Sequence, residues 1–234
     1  MKHTEDTRVK IPAILHLIKL GYSYLSWKNE VIKEDTNIFT DIFSESIMRL
    51  NPKLSKVDVN RFYDEVSLCL ENEDLGKAFY TKLIDKSGIR MVDFENFENN
   101  TFNVVTELPC KKDEDEFRPD ITLLLNGLPL AFIEVKKPNN RDGIIAEHRR
   151  MGVRNQNKKF RKFMNITQLM VFSNNMEYED GSPHPFEGAF YTTSSYQKPI
   201  FNYFREEEKF DLNTILSDIS DDVENLVLKD NNLI

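Results

Sequence analysis

The sequence lacks the features that several protein classes require. Its two cysteines, Cys69 and Cys110, do not form a C-x-x-C pair, so neither a disulfide framework nor a cysteine-based metal site is expected. The four histidines are scattered along the chain, which argues against a zinc site. No G-x-S-x-G elbow is present, so a serine hydrolase has no support.

Long apolar stretches are also absent. No uncharged run approaches the roughly 18 residues that a membrane span requires. The opening segment, MKHTEDTRVK, has no apolar core of the kind found in a secretory signal. Together with the low cysteine content, these absences predict a cytoplasmic protein that makes no contact with a membrane.

The charge of the chain is unevenly distributed. Its 31 Lys and Arg residues and 39 Asp and Glu residues give a net charge of −8, which taken alone argues against a nucleic-acid binder. Residues 136–162, however, contain ten basic and two acidic residues, a local surplus of eight, so the remainder holds 21 basic and 37 acidic residues. We expect this basic stretch to be helical and to face DNA phosphates without reading base sequence, the alternative being an ordinary solvent-exposed face. The candidate DNA-binding residues are Lys137, Arg149, Arg150, Arg154, Lys158, Lys159, Arg161 and Lys162.

Hydrophobic periodicity divides the chain into a helical part and a part rich in strands. Helical spacing of apolar residues covers about 8–20, 35–50, 57–70 and 75–84, with Thr36 as the expected N-cap of the second helix. After Gly88, the expected strands are GIRMVDF, TFNVVTEL, DITLLL, LPLAFIEVK, TQLMVFSN and GAFYTTS. Phe160 and Phe163 are expected to anchor the basic helix to the core.

This order of elements predicts a mixed α/β fold. We expect one domain over residues 1–210, with a mostly helical part at 1–87 and the sheet and basic helix at 88–204. Residues 211–234 hold a further amphipathic helix, which we expect to dock on the domain.

The segment RPDITLLLNGLPLAFIEVKKP, residues 118–138, predicts a buried hairpin. Two apolar runs flank Asn126-Gly127, a strong hairpin signal, and both runs are apolar on both faces. Glu134 and Lys136 share one face because side chains alternate along a strand. Burying a carboxylate is costly, so Glu134 requires a metal ion, a cationic side chain or both as a partner.

The register of this hairpin decides whether Asp120 joins Glu134. A two-residue turn pairs Leu125 with Leu128 and turns Asp120 away from Glu134, whereas a three-residue loop pairs Leu125 with Pro129 and places the two carboxylates opposite each other. We therefore predict a three-residue loop or an equivalent bulge.

A D…E-x-K group arranged in this way suits metal-assisted phosphodiester hydrolysis. Asp120 and Glu134 would hold Mg²⁺, and the backbone carbonyl of Val135 could supply a further oxygen. Lys136 would orient the attacking water or stabilise its hydroxide form. A solvated strand end with an ion pair is the alternative.

The segment RPD…NGLPL…IEVKKP resembles the PD-(D/E)xK nuclease domain in the restriction (R) subunit of type I restriction endonucleases. GYSYL, IMRLNP, NTFNVVTEL, TQLMVFSNNMEYEDGSP and FEGAFYTTSSYQKPIFNYF agree with that family in order, so the resemblance spans residues 8–204. It implies a restriction-endonuclease-like core, a central mixed sheet flanked by helices. It also implies Mg²⁺-dependent cleavage of double-stranded foreign DNA, with Asp120, Glu134 and Lys136 as the catalytic group and Glu5 as a further acidic metal ligand.

The resemblance also implies partners and shows departures. R subunits work with modification (methyltransferase) and specificity subunits and continue into an ATP-driven motor. This chain has no G-x-x-x-x-G-K-[ST] loop, so it should not bind ATP by that mechanism, and residues 211–234 would begin the connection to the motor. The family's Q-x-x-x-Y element is missing. Glu147, Arg150 and Arg154 lie at three- and four-residue spacing on one helical face and either replace it or form a surface ion-pair ladder, and Gln156 is a further candidate. A non-catalytic nuclease-fold module for DNA docking or subunit assembly is the alternative function, but the intact Asp120, Glu134 and Lys136 favour the enzyme.

Overall fold

The structure is a computed structural model of the chain, and it describes residues 4–137, 140–174, 177–178, 185–186, 189–193, 202–204 and 219–232. Within these ranges, helices flank a seven-stranded sheet that contains both parallel and antiparallel pairs. The predicted mixed α/β fold is therefore confirmed, and it is consistent with a nuclease-like fold. No helix in the described part of the chain is long and apolar enough to cross a bilayer.

The N-terminal part is helical, as predicted. A π-helical turn over Asp6–Lys10 leads into the first α-helix. The α-helices are, in chain order, α1 (Ile11–Lys19), α2 (Thr40–Leu50), α3 (Lys56–Cys69), α4 (Lys77–Leu83), α5 (Arg141–Gln156), α6 (Arg161–Ile166) and α7 (Asp221–Asp230).

Local sequence signals account for several helix ends. Ser55 and Asp58 form a reciprocal capping box at the start of α3. Helix α2 ends at Leu50, because the next residue precedes Pro52 and is displaced from the helical region. The predicted N-cap at Thr36 is wrong. Thr36 lies in a turn in which the N–H of Asn37 donates to the Lys33 carbonyl at 2.7 Å. The N-cap position is taken by the extended residue Phe39, whose N–H donates to the Gly127 carbonyl at 3.0 Å, so the helix begins only at Thr40.

The strands place the predicted hairpin at the centre of the sheet. They are β1 (Ser23–Tyr24), β2 (Phe102–Thr106), β3 (Cys110–Lys112), β4 (Asp115–Phe117), β5 (Ile121–Leu125), β6 (Leu128–Val135), β7 (Leu169–Asn174), β8 (Glu177–Tyr178), β9 (Pro185–Phe186), β10 (Ala189–Thr193) and β11 (Asn202–Phe204). The main sheet has the order β1-β2-β5-β6-β7-β10-β11, and β3-β4 and β8-β9 form separate two-stranded ribbons.

The predicted strand over residues 88–94 is wrong, because side chains satisfy its backbone groups and no neighbouring strand pairs with it. Asn51 bonds both the N–H and the carbonyl of Arg90, at 3.0 and 2.9 Å. Asn126 donates to the Met91 carbonyl at 2.8 Å. The segment is therefore an irregular connection that packs against the hairpin turn.

An aromatic cluster holds α5 and α6 against the sheet. Phe160 and Phe163 are buried and pack edge-on against Phe117, with ring centroids 4.9 and 5.6 Å apart. Phe163 also stacks on Phe132 of β6. The prediction that these two phenylalanines anchor the basic helix is confirmed, although a short 3₁₀ turn at Lys158–Phe160 divides the stretch into two helices.

The C-terminal helix α7 docks on the domain, as predicted for its described part. Val227 is buried in the same apolar cluster as Val9, Ile14 and Val135. The hydroxyl of Tyr24 lies 3.3 Å from a carboxylate oxygen of Asp230. The predicted domain boundary at 210/211 and the first part of the predicted helix, up to residue 218, lie outside the described residues.

Candidate active site and basic surface

The hairpin carries a bulge in place of the predicted three-residue loop. Asn126 and Gly127 form a two-residue turn with φ of 53° and 79°, which fits the turn type favoured between twisted strands. Leu124 pairs with Pro129, but Leu123 pairs with Ala131, so the register shifts by one residue. The three-residue loop is therefore wrong, and the equivalent bulge is confirmed.

The bulge brings the two carboxylates together. Beyond it, Ile121 faces Ile133, so the next pair along the hairpin is Asp120 and Glu134. Pro129 has no N–H for the ladder, a property that confines proline to edges and bulges. The carbonyl of the extra residue, Leu130, accepts the Gln168 N–H at 2.7 Å at the entrance to β7.

Asp120 lies where β5 begins and is fixed by the backbone of β6. Its carboxylate accepts the N–H of Val135 at 2.8 Å, and its carbonyl accepts the N–H of Glu107 at 3.3 Å. The side chain is half-buried and thus holds its orientation at the end of the hairpin.

Glu134 is buried without a full set of partners. Its side chain is 5% exposed, and within the described structure its Oε1 atom has no hydrogen-bond partner. Burial, and next the neighbouring charges of Asp120 and Glu147, raise the pKa of Glu134 to about 9. An ionised Glu134 thus requires a compensating cation, as expected for a pair of carboxylates that share one site.

Lys136 lies on the same side of the site, between two further carboxylates. Its ammonium donates to the Val135 carbonyl at 2.7 Å and lies 3.9 Å from carboxylate oxygens of both Glu5 and Glu147. Glu5 also accepts the Lys137 N–H at 3.1 Å. Burial raises the pKa of Glu5, Lys136 opposes this effect, and Asp120 adds to it. The structure thus brings together all four residues that the sequence placed at the site.

The donor set fits a Mg²⁺ ion bound mainly by water and two carboxylates. Asp120 and Glu134 are hard oxygen donors, and the unpaired Oε1 of Glu134 lacks the partner that a cation would provide. The Val135 carbonyl, expected as a third donor, accepts the Lys136 ammonium. The described residues contain no group of three His, Cys, Asp or Glu side chains suited to a metal ion.

The candidate replacements for the Q-x-x-x-Y element separate into two groups. Glu147 is buried on α5 and accepts hydrogen bonds from Arg150 at 2.7 Å and Arg154 at 3.4 Å. Glu147 therefore does not belong to an ion-pair ladder that lies entirely on the surface. Gln156 is exposed at the end of the helix, about 13 Å further along the axis at 1.5 Å per residue, and is not brought to the site.

Half of the expected basic surface is ion-paired with acidic side chains from elsewhere in the chain. The pairs are Lys158 and Arg161 with Glu73 at 3.4 and 2.6 Å, Lys159 with Asp115 at 3.0 Å, and Lys162 with Asp35 at 2.8 Å and Glu71 at 2.9 Å. The positive charge of this half is therefore largely balanced within the chain. The acids come from the turn before α2, from the loop after α3 and from β4, and they cancel much of the local surplus.

The cations of the other half differ in their exposure. Arg154 stacks over the Phe117 ring, 4.8 Å from its centroid, and points inward. Lys137 and Arg149 are exposed and form no ion pair within the described residues. Arg150 is 59% exposed while it bonds Glu147. The surface open to a phosphate backbone is therefore the site end of α5, with Lys137, Arg149 and Arg150.

Comparison with known proteins identifies the family. The family model described as the type I restriction enzyme R protein N terminus matches residues 2–182. The chain belongs to this family. The match confirms the resemblance inferred from the hairpin segment and its flanking pieces.

Relatives of this R-protein domain are endonuclease subunits. A putative type I restriction enzyme MjaIXP endonuclease subunit from Methanocaldococcus jannaschii is 28% identical over 207 residues, which cover 78% of this chain and 20% of that protein. The type I restriction enzyme HindI endonuclease subunit from Haemophilus influenzae is 31% identical over 121 residues, covering 43% of this chain and 11% of that protein. The chain thus spans about a fifth or less of the length of these relatives.

Sequence reasoning missed one buried ion pair beside the site. Lys10 is 3% exposed at the end of the π-helical turn and pairs with Glu107, whose N–H bonds the Asp120 carbonyl. This contact ties the turn that carries Glu5 to the start of the hairpin β5-β6. No local signal indicates it, because a lysine in the first turns of a helix usually lies in solvent.

Proposed function

We propose that this chain is the Mg²⁺-dependent endonuclease domain of a type I restriction enzyme R subunit and hydrolyses phosphodiester bonds of double-stranded DNA. One observation carries the proposal: Asp120 and the buried Glu134, with its unpaired Oε1, meet at the end of one hairpin beside Lys136. A purely structural role does not account for this group, because two adjacent carboxylates repel each other when both are ionised.

Asp120 and Glu134 would hold the Mg²⁺ ion, and water molecules would fill its remaining positions. Glu5 lies beside this pair and accepts the Lys137 N–H at 3.1 Å. When bound, the ion lowers the pKa of a water molecule and neutralises charge that builds up on the phosphate. The Val135 N–H keeps the Asp120 carboxylate in its orientation at 2.8 Å, so this donor needs little rearrangement.

Lys136 supplies the positive charge that the attacking water requires. Its ammonium has three donors, of which one binds the Val135 carbonyl, so others are free to orient the water and stabilise its hydroxide form. Lys137, Arg149 and Arg150 would bind the DNA backbone at the adjacent exposed surface. Such contacts hold the duplex in place without reading its sequence.

In the cell, we propose that the domain acts within a cytoplasmic complex that restricts foreign DNA. The recognition sequence would be read by a specificity subunit, which works with a modification subunit. ATP would be used by a motor in the remaining part of the R subunit, since no phosphate-binding loop is present in this chain.

A plasmid cleavage assay on the R subunit assembled with its partner subunits, ATP and Mg²⁺ tests the proposal. Asp120→Asn and Lys136→Met should each reduce cleavage at least about 100-fold, because each removes a group that acts in the transition state. Glu114→Gln, an exposed acid in the turn of the ribbon β3-β4, is the matched control and should cleave like the parent.

Two outcomes would overturn the enzymatic function. In the first, Asp120→Asn and Lys136→Met cleave at the parental rate. In the second, the fully assembled parent binds DNA but never cuts it with Mg²⁺, and the chain is then a non-catalytic module for DNA docking or assembly.

A further inference from the structure

One buried carboxylate on α5 collects three cations beside the site. Glu147 is 3% exposed, and its two oxygens lie 2.7 Å from Arg150, 3.4 Å from Arg154 and 3.9 Å from the Lys136 ammonium. A buried carboxylate with such partners is firmly held, because losing them would leave it unpaired in a poorly solvated place. Glu147 therefore restricts the positions of the three cations around it.

Arg154 anchors this carboxylate to the strand that leads into the site. Its guanidinium lies 4.8 Å from the centroid of the Phe117 ring and 3.7 Å from the sulfur of Met151. Phe117 ends β4, three residues before Asp120. The stacked and bonded guanidinium therefore connects Glu147 to the same chain segment that carries the first catalytic carboxylate.

Lys136 depends on this arrangement for its own position. Beyond its bond to the Val135 carbonyl, the ammonium is flanked by Glu5 and Glu147, each at 3.9 Å. Glu5 is 30% exposed and comes from the N-terminal turn, whereas Glu147 is held by two arginines inside the domain. Glu147 is thus the more rigid of the two anchors for a side chain with four rotatable bonds.

We propose that Glu147 is a positioning residue that holds the Lys136 ammonium at the catalytic hairpin and in this way replaces the missing Q-x-x-x-Y element. The inference rests on the proposed nuclease function. Arg154 fixes Glu147 from the inner side, and Arg150 links it to the exposed surface that would meet DNA.

Glu147→Gln in the assembled restriction complex tests the role. Loss of a partner that orients a catalytic group typically costs 10- to 100-fold, so cleavage should slow by about that factor. The Kd for DNA and the Mg²⁺ concentration at half-maximal rate should stay within about twofold of the parent, because the effect lies in the chemical step. Asp142→Asn, the exposed acid on the same helix, is the matched control and should change none of these quantities.

A double variant separates positioning from general structural damage. In a Lys136→Met background, Glu147→Gln should cost nothing more, because there is no ammonium left to position. Independent structural damage would instead multiply the two losses. Glu147→Asp keeps the charge that balances the arginines but withdraws the carboxylate from Lys136, so it should fold like the parent and still slow cleavage.

A second measurement does not depend on cleavage activity. An amine-reactive reagent labels Lys136, and mass spectrometry compares its labelling rate with that of Lys137 as the internal reference. We expect Glu147→Gln and Glu147→Asp to label Lys136 several-fold faster than the parent does. Unchanged labelling, or parental cleavage by both variants, overturns the positioning role while leaving the nuclease function intact. An assembled parent that never cleaves overturns the nuclease function instead.

Discussion

The burial of Glu134 makes the metal-free chain lose stability as the pH rises. Burial, with the charges of Asp120 and Glu147, raises the pKa of Glu134 from 4.5 to about 9. The Glu134 carboxyl therefore keeps its proton to a higher pH in the folded chain than in the unfolded chain. The resulting stability is fully present below pH 4.5 and is lost as the pH rises through 9.

The expected size of this effect follows from proton linkage. Between the two pKa values, each unit of pH costs about 1.4 kcal/mol of unfolding free energy. Between pH 5 and pH 8 the loss reaches up to about 4 kcal/mol, a large part of the roughly 5–15 kcal/mol that stabilises a typical domain. The Glu134→Gln variant should not show this loss of unfolding free energy, because its amide has nearly the same shape and stays neutral at every pH.

Urea unfolding of the chain in the presence of a chelator, at pH 5, 6, 7 and 8, measures the effect. Glu134→Gln should gain stability over the parent as the pH rises, and Glu114→Gln should follow the parent throughout. Asp93 does not disturb this comparison. Hydrogen bonds, chiefly from Asn99, lower its pKa to about 2, so it is ionised from pH 5 to pH 8 and its contribution to the unfolding free energy stays the same. A gap between Glu134→Gln and the parent that is the same at pH 5 and pH 8 would refute the reasoning.

Magnesium should reverse the loss at high pH. An ion that binds only the folded chain stabilises it by about 1.4 kcal/mol at ten times its Kd. The gain should be larger for the parent than for Glu134→Gln, because the amide is a weaker ligand than a carboxylate. Equal gains in both chains would show that Mg²⁺ does not bind at Glu134.

Two further predictions concern the turn and the basic surface. Asn126→Ala should cost about 2–4 kcal/mol in urea unfolding, because it leaves the Met91 carbonyl and the Thr101 N–H unpaired and puts alanine at a φ of 53°; a loss below about 1 kcal/mol contradicts this. Lys137→Gln and Arg149→Gln should each reduce the salt slope of DNA binding by about 1, whereas Lys162→Gln, whose ammonium lies 2.8 Å from Asp35, should hardly change it. Equal slopes for all three variants would mean that ion pairing does not select the DNA-facing cations.

Elements with strong local signals were predictable from the sequence. Helix α3 has a capping box and regular apolar spacing, and it forms within one residue of the predicted bounds. The hairpin β5-β6 has an Asn-Gly turn between two apolar runs, and it forms at the centre of the sheet. In both cases the information lies within a few residues of the element, so tertiary packing only confirms it.

Elements that depend on distant partners were not predictable. The segment at 88–94 has an apolar pattern typical of a strand, but Asn51 and Asn126 satisfy its backbone and no strand forms. The basic stretch seemed uniform in sequence, yet Arg161 meets Glu73, 88 residues earlier, and Lys162 meets Asp35, 127 residues earlier. Charge patterning along the chain cannot indicate which cations such long-range pairs neutralise.

At the site, the sequence by itself determined which side chains share one face of the strand. Alternation along β6 places Glu134 and Lys136 on one face, and the segment RPD…IEVKKP marks the R-protein family. The tertiary structure decided how Asp120 reaches them. Pro129 has no N–H to donate to the ladder, and the Leu130 carbonyl bonds to the entrance of β7, so the register shifts within the strand and not in the turn.

The surroundings of Lys136 were likewise decided only in three dimensions. Glu147 lies eleven residues further along the chain, and nothing in that spacing indicates whether its helix turns it inward or outward. The aromatic cluster that seats α5 and α6, and the stacking of Arg154 on Phe117, direct the carboxylate toward the lysine. Packing sets the rotation of a helix about its axis, and local sequence sets only where the helix begins and ends.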